Sequence, residues 1–220
     1  MTTRPVLSTV VLDLGQVLVE WEPWRAHPEL TRQAWDAVAR QIGFHELNLR
    51  ADAGEGWADL EAEVAARWPE LAGFVEQYER AFAATLVGPV AGMPELVGQL
   101  RERGLRLLGL TNWSTETFPR GVAAVPAIGD LEAVVVSGEV GLVKPDPAIF
   151  EHLLATHDVD PATALFVDDR ADNVEAAVAV GFHGHVFTTA AALRRELAVL
   201  GVTLDDVPEQ APPSGSGAPA

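Results

Sequence analysis

The sequence predicts an α/β fold, a parallel and doubly wound sheet with helices on both faces. Three observations carry that expectation: five short β-type runs, helical patterns between the later runs, and strands that read as continuous apolar stretches. The runs are STVVLDLG (8–15), LRLLGLTN (105–112), EAVVVS (132–137), TALFVDD (163–169) and HGHVFT (183–188), and four of them are rich in consecutive Val, Leu, Ile or Phe. A strand covered on both faces has no solvent side to mark with polar residues, hence the unbroken runs. MPELVGQLRERG (93–104) places Leu96, Val97 and Leu100 on one helical face and stops at Gly104. DPAIFEHLLATH (146–157) offers Asp146 as N-cap and Pro147 at the first helical position, where its missing N–H is not needed, followed by Ile149, Phe150, Leu153 and Leu154. ADNVEAAVAVG (171–181) groups Val174, Ala177 and Val178 and ends at Gly181.

Residues 22 to 88 break the alternation. Trp35, Val38 and Ile42 recur at helical spacing, then Trp57, Leu60, Val64 and Trp68, then Leu71, Phe74, Tyr78 and Phe82. The stretch is expected to form a small all-helical bundle inserted after the first strand, with Trp35, Trp57 and Trp68 in its core. Trp21 and Trp24 fall beside the first strand and are candidates for touching a substrate. The division is therefore 1–21 and 89–207 for the α/β core domain, 22–88 for the helical insert, and 208–220 for a Pro-, Gly-, Ser- and Ala-rich disordered tail.

A hydrophobic fraction of 48% in 220 residues is ample for a core. Fifteen basic against 32 acidic residues give a net charge of −17, which repels nucleic acid and anionic membrane, so neither is expected as a partner. The absence of cysteine excludes disulfides and thiolate–metal sites. Ser8, Thr9, Asp13 and Gln16 interrupt the first apolar stretch, a poor signal peptide, and no window reaches the ~18 apolar residues of a membrane span. A soluble cytoplasmic protein is expected.

In open parallel sheets ligands bind beyond the carboxyl ends of the strands. The first run ends in Asp13, the second in Thr111 and Asn112, and the fourth in Asp168 and Asp169, while VKPDP after the third supplies Lys144. Three carboxylates on one rim repel one another unless protonated or bridged by a cation. Their all-oxygen ligand set favours Mg²⁺. Lys144 adds a second positive charge, and Thr111 with the Asn112 backbone adds neutral donors, so the rim can hold an anion. Asp13 then makes sense as a nucleophile on a phosphoryl group, giving an aspartyl-phosphate that water cleaves. His183 and His185 share a strand face but have no third ligand nearby in sequence and are expected to be structural.

With these motifs in place the chain resembles the haloacid dehalogenase superfamily over about residues 6 to 190. DLGQVLV matches the first family motif, LTN the second, VKPDP the third and FVDDRADN the fourth. The opening and the double Asp are most similar to the subgroup holding α-glucose-1-phosphatase and the amino-terminal phosphatase domain of soluble epoxide hydrolase. The resemblance implies a Rossmann-like sheet of order 5-4-1-2-3 with a helical cap inserted between the first two motifs. It further implies Asp13 as nucleophile and metal ligand, Gly15 as a metal ligand through its carbonyl, Asp169 as a direct ligand, and Asp168 holding a metal-bound water with help from Asn173. Thr111 and Asn112 would grip phosphate oxygens, and Lys144 would hold the phosphate and neutralise Asp13. The expected activity is Mg²⁺-dependent hydrolysis of a small phosphate ester, such as a sugar phosphate.

One position departs from the family pattern. Phosphatases of this kind commonly carry a second Asp two residues after the nucleophile, as acid and then base, and here that residue is Gly15. Loss of such a group typically costs ~10² to 10⁴ in rate. A substitute from Glu20, Glu22 or His27 is one expectation and slow turnover another. The alternatives are a 2-haloacid dehalogenase, which needs no metal and has no use for Asp168 and Asp169, and an idle phosphate-binding or regulatory protein.

Overall fold

The computed structural model describes residues 6–205, so the tail expected at 208–220 lies outside the described residues. Strand β1 (Thr9–Leu12) is buried throughout. It leads to β2 (Val19–Trp21), a 3-10 turn at Pro23–Ala26, and helices α1 (Arg32–Ile42), α2 (Phe44–Asp52), α3 (Trp57–Arg67), α4 (Phe74–Arg80) and α5 (Phe82–Thr85). The chain returns through β3 (Leu86–Pro89) and continues as α6 (Met93–Glu102), β4 (Arg106–Thr111), α7 (Phe118–Ala124), β5 (Ala133–Val136) and α8 (Ser137–Val140). Then come α9 (Pro147–His157), β6 (Ala164–Asp168), α10 (Ala171–Ala179), β7 (His183–Val186) and α11 (Ala190–Val199).

The main sheet runs β5-β4-β1-β6-β7, every pair parallel. Counting only these five strands in chain order gives 3-2-1-4-5, which is 5-4-1-2-3 read from the other edge. Successive β1 residues alternate between two apolar clusters. Val10 and Leu12 join Leu96 and Leu100 of α6 and Leu193 and Leu197 of α11, whereas Val11 joins Phe150 and Leu153 of α9 and Val174 and Ala177 of α10. Each large side chain fully buried this way contributes about 1.5–3 kcal/mol, and both faces demand one. That double demand is the origin of the unbroken apolar run. The expected cap of α9 is present, the Asp146 side chain accepting from the Ala148 N–H.

The insert is helical, but it enters and leaves through an antiparallel ribbon of β2 and β3 that the periodicity did not reveal. Strands of three and four residues, one carrying Gly88 and Pro89, are too short for a period to register. The pattern from Leu71 to Phe82 is likewise not one helix. Gly73, at φ 84, separates a 3-10 turn from α4, and Ala81 separates α4 from α5. Trp35 and Trp57 are buried as expected, and Trp68 is half-buried beneath the Arg67 guanidinium, 4.5 Å from its ring. The sixth tryptophan, Trp113, packs between Phe82 of the insert, tilted to it at 52°, and Phe118 of the core, edge-on at 81°. Gly121 makes room for it, since a Cβ there would meet the Trp113 ring at 2.5 Å. Among the described residues no helix is long and apolar enough to cross a membrane.

Candidate active site

The Asp13 amide donates to the Val167 carbonyl (2.8 Å), carrying the β1–β6 ladder one residue further and fixing the carboxylate at the sheet's rim. Asp13 Oδ1 accepts from the Leu14 N–H (2.7 Å) and lies 2.9 Å from Lys144 Nζ. Thr111 and Asp168 are the last residues of β4 and β6, so Asn112 and Asp169 reach the same rim. The structure thus brings Asp13, Gly15, Thr111, Asn112, Lys144 and Asp169 to the wall of a single cavity of about 580 Å³.

Lys144 arrives from the loop between α8 and α9 and is almost wholly enclosed, its side chain 1% exposed. Its ammonium spends three donors on protein: the Leu110 carbonyl (2.9 Å), Asp168 Oδ2 (2.7 Å) and Asp13 Oδ1 (2.9 Å). Burial disfavours this charge, but Asp13 and Asp168 beside it outweigh that and hold the lysine above its ordinary value. Burial pushes the Asp13 carboxyl up to about 7, with Lys144 pulling the other way and Asp168 adding to the rise. Asp169 is raised as well, by partial burial and then by Asp168. One lysine does not satisfy three carboxylates, and this deficit of positive charge is what a bound cation would relieve.

Asp168 is fully buried and saturated. Its Oδ1 accepts from Arg170 N–H (2.9 Å) and Asn173 Nδ2 (3.0 Å), and its Oδ2 from Lys144 and from Asn173 (3.0 Å). Asn173 Oδ1, by contrast, is buried with no hydrogen-bond partner among the described residues. Carboxylate oxygens of Asp13, Asp168 and Asp169 all lie within 4.8 Å of one another. Hard oxygen donors in this arrangement, with an orphaned amide oxygen beside them, fit Mg²⁺ and its waters.

The Asn112 side chain is spent on the Lys144 backbone, donating to its carbonyl (2.9 Å) and accepting from its N–H (2.8 Å). It therefore clamps the lysine loop, and the part of Asn112 left to face a ligand is its backbone. The substitute acids considered from sequence are not at the site. Glu20 is exposed, Glu22 pairs with Arg25, and His27 is buried against Phe74, and none of the three lines the cavity. Trp21 does line it and Trp24 does not. His183 meets the Ala162 carbonyl, and among the described residues neither it nor His185 belongs to a metal-competent cluster.

Sequence reasoning missed α2. Phe44, Leu47 and Ala51 are its buried stripe, while His45, Asn48, Leu49 and Asp52 line the cavity on the neighbouring stripe. The signal was present as polar residues spaced three and four apart beside an apolar set at the same period. Asp52 is buried, 6% exposed, and Asn48 Nδ2 donates to its Oδ2 (2.9 Å).

Residues 7–181 match the family of haloacid dehalogenase-like hydrolases. The chain belongs to that family. The sesquiterpene phosphatase astK of Aspergillus oryzae is 28% identical over 200 residues, 86% of this chain and 94% of that protein. Phosphatase MT3486 of Mycobacterium tuberculosis is 34% identical over 112 residues, and the match spans about half of each, 49% of this chain and 52% of the relative. Among solved structures, a haloacid dehalogenase family enzyme of Bacteroides thetaiotaomicron in complex with magnesium and inorganic phosphate superposes with a TM-score of 0.67 at 19% identity, covering 84% of this chain and 96% of that one. The L-2-haloacid dehalogenase of Xanthobacter autotrophicus, with chloropropionic acid covalently bound, gives 0.61 at 22% identity over 88% and 83%. At these identities the structural likeness establishes the fold, and this chain is a hydrolase of the family.

Proposed function

We propose that this hydrolase is a Mg²⁺-dependent phosphomonoesterase acting on a small phosphorylated metabolite through an aspartyl-phosphate on Asp13. The observation that carries the reading is the Asp13–Lys144–Asp168 chain at the head of the cavity, with Asp169 beside it. Asp13 Oδ1 is held by the Leu14 amide and Lys144, which orients Oδ2 as the attacking oxygen. Thr111 and the Asn112 backbone meet the phosphate oxygens, and Lys144 favours the ionised Asp13 that attacks. Asp13, Asp169 and the Gly15 carbonyl would hold Mg²⁺, with Asp168 and Asn173 behind them. The ion, when bound, supplies positive charge that offsets the phosphate and the crowded carboxylates. Residues 22–88 act as a cap that excludes water and selects the leaving group. The phosphatase names of astK and MT3486 agree with this chemistry.

For the alcohol, a sugar phosphate is one reading. A second is favoured by the cavity wall itself, where Trp21, Leu49, Phe82, Leu86 and Trp113 present apolar surface suited to a hydrophobic alcohol. A panel of sugar, isoprenoid and p-nitrophenyl phosphates tests both. Phosphate release that requires Mg²⁺ and disappears with chelator and in Asp13→Asn upholds the phosphatase. Metal-independent chloride release from a 2-haloacid, or silence on the whole panel, overturns it.

A further inference from the structure

With Gly15 in place of the usual acid, the segment that follows β1 carries no group there to protonate the departing alcohol. Among the described residues the cavity has one other enclosed carboxyl, that of Asp52. We propose that Asp52, on the last turn of α2, protonates the leaving oxygen and then deprotonates the attacking water, an assignment that rests on the phosphomonoesterase reading. As the Asp13 oxygen bonds to phosphorus and the P–O bond to the alcohol breaks, the Asp52 acid gives its proton to the alkoxide. As water then attacks the phosphorus, Asp52 takes a proton from it, and Asp13 and inorganic phosphate are released with Asp52 protonated again.

Three observations support this. Asp52 and Asp13 line the same cavity from opposite parts of the chain, Asp13 at the sheet's rim and Asp52 on the insert. The carboxyl is aligned by a side-chain relay: the Tyr78 hydroxyl donates to Asn48 Oδ1 (3.5 Å), turning the amide so that Nδ2 donates to Asp52 Oδ2 (2.9 Å). That bond fixes the orientation of the carboxyl. The helix end is also pinned, since the Ser137 hydroxyl donates to the Asp52 carbonyl (2.6 Å) and accepts from the Trp113 N–H (2.9 Å). The charge state fits as well. Burial raises Asp52 from its ordinary 3.8 to about 7, with the Asp13 charge adding and Lys144 and the Ser114 amide opposing. Tyr78, pushed up by burial and by Asp52, stays neutral, and exposed His45 is the remaining titratable group on the same stripe of α2.

Leaving-group dependence is the test, read as kcat/KM with Mg²⁺ present. Asp52→Asn should lower kcat/KM for an alkyl phosphate by ~10² to 10⁴, and for p-nitrophenyl phosphate, whose phenolate leaves unaided, by less than ~10-fold. The decline of alkyl phosphate kcat/KM at alkaline pH should disappear in Asp52→Asn and persist in Asp52→Glu. A Cβ at Gly15 would meet nothing within 4 Å, so Gly15→Asp added to Asp52→Asn should restore at least ~10-fold of the alkyl rate. Equal losses on both esters, no loss on either, or removal of the alkaline limb by His45→Gln instead would overturn the assignment. If Asp13→Asn keeps its turnover, the nucleophile itself is wrong, and that failure is distinct from one in which Asp13→Asn is dead and Asp52→Asn is unselective.

Discussion

Asn112 and Lys144 exchange two hydrogen bonds, side chain to backbone, at 2.9 and 2.8 Å. The pair sets the height of the lysine loop above the sheet, and with it the position of the ammonium between Asp13 and Asp168. Asn112→Ala leaves the Lys144 amide and carbonyl without these partners, at a cost of about 1–3 kcal/mol each where desolvated. The expected result is a lower urea midpoint together with a loss of kcat/KM larger than any change in KM. Stability intact with activity lost would place the Asn112 side chain against the substrate instead.

The two consecutive aspartates should respond differently to substitution. Asp169 is exposed to the cavity, whereas Asp168 accepts four hydrogen bonds from three groups, Lys144, Arg170 and Asn173. Mg²⁺ at a hundredfold excess over its Kd should stabilise the protein by about 2.7 kcal/mol, seen as a rise in Tm. Asp169→Asn should abolish that rise with little change in the metal-free Tm. Asp168→Asn should lower the metal-free Tm itself, because it leaves Lys144 short of a buried counter-charge, a loss of about 3–5 kcal/mol.

Asp52 makes metal-free stability depend on pH. Unfolded, the carboxyl ionises near 3.8; folded, it keeps its proton to about 7. Between those values the native state binds more protons, so stability falls as pH rises, being fully present below the lower value and lost above the upper. Urea titrations from pH 4 to 8 should show this decline in the wild type and a flatter profile in Asp52→Asn. A profile unchanged by the substitution would mean that Asp52 ionises normally.

Gly121 is required by Trp113. Gly121→Ala drives a methyl into the ring at 2.5 Å, an overpacking expected to cost about 1–3 kcal/mol and to disturb the cavity wall that Trp113 forms. Equilibrium unfolding and tryptophan fluorescence report both effects. A fully stable variant would show that the ring moves freely.

The core was legible because its strands are buried on both faces and its helices carry strong punctuation. Asp146 caps where expected, and Asp13, Thr111, Asp168 and Asp169 reach one rim because parallel strands all point their carboxyl ends the same way. What the side chains do there was less legible. Asn112 turns to the backbone of Lys144, and Asp168 to Asn173, partners 32 and 5 residues away that a motif does not specify. The aromatic spacing between 22 and 88 pointed to helices, and helices are there, yet α2 was overlooked because its apolar stripe is only Phe44, Leu47 and Ala51 and its second stripe is polar. The β2–β3 ribbon depends on pairing between residues such as Glu20 and Gly88, and no local pattern encodes that contact.

The Ser137 hydroxyl fastens α2 to the strand ends through Asp52 and Trp113, and the Trp57 indole grips Ser114 Oγ at 3.0 Å nearby. Any swing of the helices that admits a bulky ester must undo these fastenings and carry the Asp52 carboxyl away from Asp13. On the role proposed for Asp52, a molecule opened in this way would lack its acid until α2 returned. Admission and reaction would then alternate, with Ser137 holding the joint between them.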